Sequence, residues 1–376
     1  MKKIAIALTA ALMVLSLAAC DKTDPDQVDK TPIQTEDSQA VSDDDKGDGN
    51  DTSETEETDI DSESDESTTD DDQETSDLDA DEKPSLSKLS DEKAMDAYKE
   101  MIERFEAESP VDTYDDVLAL LPRLPENISS IMFAKFDKYM ESWSINYSDQ
   151  IYFEDGPMSK LDVSLGKAYD YTADTYDLSK IDNETHKAIL KSLFDNGFKF
   201  VWLEGSPYPT VDYSHLKSLS EKVPEEVMAF VLVMSTETEQ ITAADAGLVI
   251  GWNELAKRAV QTESAMKIIE NEDLYSKLEG LYRFYSQSYL LGLNNTPVVN
   301  WDDNTLLDPV RQSYETTLEK YPKSELSKIL VKYMETLETY DYTLPYEDQE
   351  AFQSIVKLQS EWIDEAANNL HKHHNH

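Results

Sequence analysis

The densest group of chemically capable side chains is Trp202, Glu204, Tyr208, Asp212, Tyr213 and His215, set around Pro207 and Pro209. Two carboxylates across a tight turn could serve as acid and base, as paired carboxylates do in glycoside hydrolysis. The aromatic rings beside them could stack on sugars or peptide groups. The competing reading is a structural hairpin that packs its rings on helices and leaves its carboxylates in water. Trp202, Glu204, Tyr208, Asp212 and Tyr213 are therefore candidate ligand-binding residues, with Glu204 and Asp212 as an alternative catalytic pair.

Other constellations are sparser. Asn294 to Asn304 supplies many oxygen atoms and Trp301, a composition that could hold calcium or simply form a polar loop. The C-terminus carries His371, His373, His374 and His376, close enough in sequence to chelate a divalent metal, or to be a frayed tail. No other cofactor is expected. His186 and His215 are the remaining histidines, and no local motif enrols either in a Ser-His-Asp arrangement. GxSxG, HExxH, GxGxxG and the P-loop are all missing. Asp43 to Asn50 fails the EF-hand spacing, because the glycine falls one place early.

These residues need elements to position them. Apolar side chains recur at steps of three and four, which predicts helices. Ser90 precedes a face of Met95, Tyr98, Met101, Ile102 and Phe105. Further helices are predicted over 128–143, with Ile131 and Met132 on the apolar face, and over 184–196, stopped by Gly197. Pro224 at the first helical position opens another. Runs over 252–269, 274–293, 308–320 (with Asp308 as cap), 324–340 and 346–370 complete the set. One segment is strand-like: Phe198 to Glu204, turned by Gly205 to Pro209, with Thr210 to Tyr213 pairing back. The class predicted is mainly all-α, a helical bundle or stacked helical pairs with one small β-hairpin near 198–213. Leu318-Glu-Lys-Tyr-Pro-Lys-Ser324 resembles the helix junction of tetratricopeptide-type repeats, which implies stacked pairs over that one junction.

Composition divides the 376 residues sharply. All 35 aromatic residues lie in 84–376, where the net charge is −25. From Asp21 to Lys83, 27 acidic residues face 4 lysines and no ring. Such a stretch buries too little apolar surface to offset the entropy of ordering, so a disordered acidic stalk is expected. Extended, it would reach roughly 200 Å; as a coil, roughly 45 Å before self-repulsion stretches it. The acidity of the body argues against nucleic acid, whose phosphates need a basic face.

At the extreme N-terminus, Lys2 and Lys3 precede an uncharged apolar run from Ile4 to Leu17. That run has the length of a signal-peptide core and is short for a membrane span. Leu17-Ala18-Ala19-Cys20 then resembles, at all four places, the lipobox of bacterial lipoproteins. The resemblance implies cleavage before Cys20 and diacylglycerol on its sulfur, with a further acyl chain such as palmitate on the new N-terminus. A plain secretory signal or an uncleaved anchor is the alternative. Cys20 is the single cysteine, so no disulfide can form within the chain.

The expected organisation is a signal peptide over 1–19, a lipidated stalk over 20–83, a helical body over 84–370 with a subdivision near 197–224, and a His-rich tail over 371–376. The expected role is a lipid-anchored protein on the extracytoplasmic face of a bacterial membrane. It would display a binding or scaffolding domain for a protein or cell-wall partner. An envelope hydrolase using Glu204 and Asp212, or a metal- or solute-capture lipoprotein, are the alternatives.

Overall fold

Helix α1 (Asp91–Ala107) begins after Ser90, which stands in the cap position with extended backbone. Its hydroxyl makes no capping bond, contrary to expectation. Ala94 and Met101 are buried and Tyr98, Ile102 and Phe105 pack against the core, while Met95 faces outward. Helix α2 (Pro110–Leu120) is started by Ser109, whose N–H and hydroxyl both bond to Asp112. Helix α3 (Glu126–Tyr152) extends well past the predicted end at Trp143. Tyr147 and Ile151 continue its buried side at four-residue steps, which keeps the helix worth forming. Ile131, assigned to the apolar face, is exposed.

The computed structural model describes residues 88–372 apart from 171 and 174. The signal segment, Cys20, the acidic stretch, and His373, His374 and His376 lie outside the described residues. Among the described residues no helix is long and apolar enough to cross a membrane. They fall in one compact unit.

After the short helix α4 (Leu161–Ala168) the chain alternates helices and two-stranded antiparallel hairpins. Strands β1 (Tyr169–Asp170) and β2 (Thr175–Tyr176) form the first. Helix α5 (Glu184–Asp195) follows, its N-terminus capped by the Asn183 side chain. It is stopped by Gly197 at φ +78°, where an added Cβ would strike the Tyr114 ring. Then comes the predicted hairpin, β3 (Phe198–Leu203) and β4 (Ser206–Val211), in register from Phe198–Val211 to Leu203–Ser206. Its turn residues Glu204 and Gly205 have φ of 50° and 76°, as a type I′ turn requires. Pro207 and Pro209 are tolerated because a two-stranded hairpin leaves each strand one free edge.

Helix α6 (Glu225–Glu239) begins one residue after Pro224, which occupies the cap and not the first turn. It leads into β5 (Ala243–Ala244) and β6 (Gly247–Leu248), then α7 (Trp252–Met266) and α8 (Glu272–Leu291). The last hairpin is β7 (Gly292–Leu293) with β8 (Thr296–Pro297). Helices α9 (Asp308–Lys320), α10 (Glu325–Glu338) and α11 (Gln349–Lys372) close the chain. Asp308 proves to be the first helical residue, with Leu307 in the cap position. Ser324 does cap α10, accepting from the Ser327 N–H.

The architecture is mostly helical with only small two-stranded sheets. Helices α7 to α11 stack as pairs: α7 on α8, α9 on α7, and α11 on both α8 and α10. A buried carboxylate ties two of these layers. Glu263 of α7 accepts the Glu325 N–H at 2.7 Å and the Leu326 N–H at 3.3 Å, so it caps α10 from a neighbouring helix. A ladder of rings, Tyr289, Tyr314 and Tyr333, joins α8, α9 and α10 through the core.

Three hairpin tips meet at Asp245. Its carboxylate accepts the Glu204 N–H at 2.7 Å, and its carbonyl accepts from the Asn295 side chain at 2.5 Å. The Asn295 N–H reaches Ala246 at 2.8 Å, and Thr296 Oγ1 accepts from the Leu248 N–H at 2.9 Å.

Candidate functional site

The hairpin does not bring Glu204 and Asp212 together. Glu204 is exposed at the tip, while the Asp212 N–H bonds to Gly197 at the base. At about 3.4 Å per residue the two are separated by roughly 20 Å. That is too far for an acid–base pair on one bond. Asp212 is a local cap: its Oδ1 accepts from the Ser214 N–H at 3.0 Å and the Ser214 hydroxyl at 2.6 Å. His215 lies 3.8 Å from the other oxygen. Trp202 stacks on Tyr169 with centroids 4.8 Å apart, and its indole N–H donates to the Tyr176 hydroxyl.

The Asn294 to Asn304 loop is likewise committed to its own backbone. Asn300 accepts from the Asp302 N–H and Asp303 from the Thr305 N–H and hydroxyl, while Asn295 and Thr296 stitch hairpins. Among the described residues no group of three or more His, Cys, Asp and Glu side chains is placed to hold a metal. His371 packs against Tyr275. His186 meets Ser164 at 2.7 Å, both buried, joining α5 to α4.

Two of the predicted residues do share a cavity. Tyr208 and Tyr213 line an opening of about 230 Å³ between α3, the β3–β4 hairpin, α6 and α8. Most of its wall is apolar, from Ile145, Val201, Leu203, Met234, Leu281 and Phe284. The hairpin builds one side because its residues alternate: Val201 and Leu203 turn toward the cavity while Trp202 turns to the Tyr169 cluster.

One corner is charged. Lys277 of α8 bonds Asp137 Oδ2 at 2.8 Å, Glu141 Oε1 at 2.7 Å and the Tyr213 hydroxyl at 2.6 Å. Tyr213 donates in turn to Asp137 Oδ1 at 2.5 Å. Only 4% of the Asp137 side chain and 16% of Lys277 reach solvent, against 46% of Glu141. Burial pulls the Lys277 ammonium toward neutrality, but Asp137 and Glu141 outweigh it, so its pKa is raised. Burial, followed by Asp137 and Glu141, drives the Tyr213 phenol well above its ordinary value.

On the facing wall Glu237 is fully engaged. It accepts from Arg258 at 2.9 Å, from the Thr242 N–H at 3.2 Å, and from the hydroxyls of Thr242 and Tyr285. Arg258, 4% exposed, also reaches the Gln240 carbonyl and Thr242 Oγ1.

Lys277, Glu141 and Glu237 were not singled out from the sequence. The usable signal was Lys277 standing between Leu274, Leu281 and Phe284 at helical steps, with Asp137 and Glu141 four apart on α3. No family model matches the chain, and neither a curated protein nor a solved structure does.

Proposed function

We propose that the chain is a lipid-anchored protein of the extracytoplasmic face of a bacterial membrane. Its helical body is a small-molecule binding module carried on an acidic stalk. The cavity carries the binding half of this reading. Ligand sites are typically concave, mostly apolar and furnished with a few fixed polar groups, and this one has an apolar wall and one charged corner. Its size exceeds the roughly 150 Å³ cavity that accepts benzene. The separation of Glu204 from Asp212 disfavours hydrolysis by that pair. The lipobox at 17–20 supports the anchoring half, since two or more acyl chains hold a protein firmly where one is marginal.

Two outcomes are expected. Cys20→Ser moves the protein from the membrane to the soluble fraction and abolishes incorporation of labelled palmitate. Retention of the variant in membranes would count against the anchor. Butylbenzene raises the melting temperature of the wild-type protein and leaves that of Ser148→Trp, which fills the cavity from α3, unmoved. Equal responses from both proteins would remove the cavity as the binding site.

A further inference from the structure

We infer that the cavity takes a small primary amine bearing an apolar ring or chain, with its ammonium on Glu141. This rests on the binding-module reading and adds the ligand class. The argument begins with hydrogen-bond capacity. The three donors of Lys277 are used by Asp137, Glu141 and Tyr213. Both oxygens of Asp137 are occupied, and both oxygens of Glu237 are occupied on the opposite wall. Glu141 differs: Oε1 holds Lys277, and Oε2 has no protein partner among the described residues.

Charge gives the same answer. At this corner two carboxylates, Asp137 and Glu141, face one ammonium, Lys277. Glu237 is balanced by Arg258. The cavity therefore holds one uncompensated negative charge, and it belongs to the most exposed member of the network, beside the half-exposed Ile145. Glu141 and Ile145 lie four apart on α3 and mark the mouth.

An occupant that closes this mouth strips water from Glu141 Oε2. A neutral hydrocarbon leaves that oxygen desolvated and unpaired, which costs free energy. An anion meets the surplus negative charge, and Lys277, the cation of the lining, is already committed. An ammonium supplies both the missing donor and the missing charge, as a charge-assisted bond. The apolar part then lies among Val201, Leu203, Met234 and Phe284. A volume of about 230 Å³ suits one ring with a short chain.

The test is calorimetric titration of the full soluble chain carrying Cys20→Ser, at neutral pH, with phenylpropylamine, butylbenzene and phenylpropionate. The amine is expected to bind at least about tenfold tighter than butylbenzene, the gain of one charge-assisted bond, and phenylpropionate weakest. Glu141→Gln is expected to erase the amine preference, because it removes the charge that the ammonium meets and lowers the desolvation cost that a neutral occupant bears. Equal affinities in the wild-type protein, or a preference that survives Glu141→Gln, would overturn the ligand class while butylbenzene binding still upheld the binding module. If none of the three probes binds, both readings fall.

Discussion

Lys277→Met destabilises the body by about 3–5 kcal/mol, the usual cost of removing one partner from a buried ion pair. Urea denaturation followed by helical circular dichroism measures it. The cause is what stays behind. Among the described residues Asp137, 4% exposed, would keep only the Tyr213 hydroxyl, and Glu141 would lose its only ion pair. Methionine matches the lysine stem, so the loss reports charge and hydrogen bonding more than packing. Adding Asp137→Leu to Lys277→Met should restore much of the stability, because a buried pair replaced by apolar residues is often neutral. A single variant within 1 kcal/mol of wild type, on the scale roughly expected of exposed pairs, would show that water reaches this corner.

Alkali should unfold the body steeply. Burial holds the phenols of Tyr213, Tyr285 and Tyr314 well above their ordinary value. Tyr289 is pushed up to about 12, again by burial, against bonds from Ser313 and Thr317. In the unfolded chain these groups ionise near pH 10. A raised folded pKa means the folded state keeps protons that the unfolded state has released. Stability is thus complete below pH ~10 and falls as pH rises through and beyond it. Lys277 acts in the same direction, its folded pKa being raised. Each group removes up to about 1.4 kcal/mol per pH unit once its unfolded form is ionised, so Tyr213, Tyr285 and Tyr314 alone remove about 3 kcal/mol between pH ~10 and ~11. That is a large part of an ordinary domain's stability. Tyrosinate absorbance and helix loss should therefore appear together in one cooperative step. Tyrosines that ionise near pH 10 with the helices intact would contradict the buried placement.

The helices were legible because their apolar residues repeat with the helical period, and the β3–β4 hairpin because Phe198, Phe200 and Trp202 alternate with a Gly turn behind them. The other hairpins were not. Two-residue strands such as Ala243–Ala244 carry no period, and their I′ turn uses Asp245 and Ala246 at φ 49° and 58°, where no glycine flags it. Helix α2 was missed because its start depends on Ser109 and Asp112 bonding each other, a short-range signal lost among neighbouring acids. Glu204 and Asp212 were attractive because they are near in sequence, yet a straight hairpin sends such residues to opposite ends. The cavity's charges show the reverse. Asp137 and Lys277 meet only because α3 and α8 do, and nothing local to either announces the other.

That meeting has a consequence for how the chain acquires its structure. Asp137 and Lys277 are 140 residues apart. Contacts of such separation pay their loop-closure entropy before they return anything, and they slow folding. The chain is made and delivered N-terminus first, so α3 is present before α8. Until α8 arrives α3 exists without its counterion, so the middle turns that carry Asp137 and Glu141 have to stay in water. The first half of the body is therefore made as an open platform, and the arrival of α8 turns it into a container.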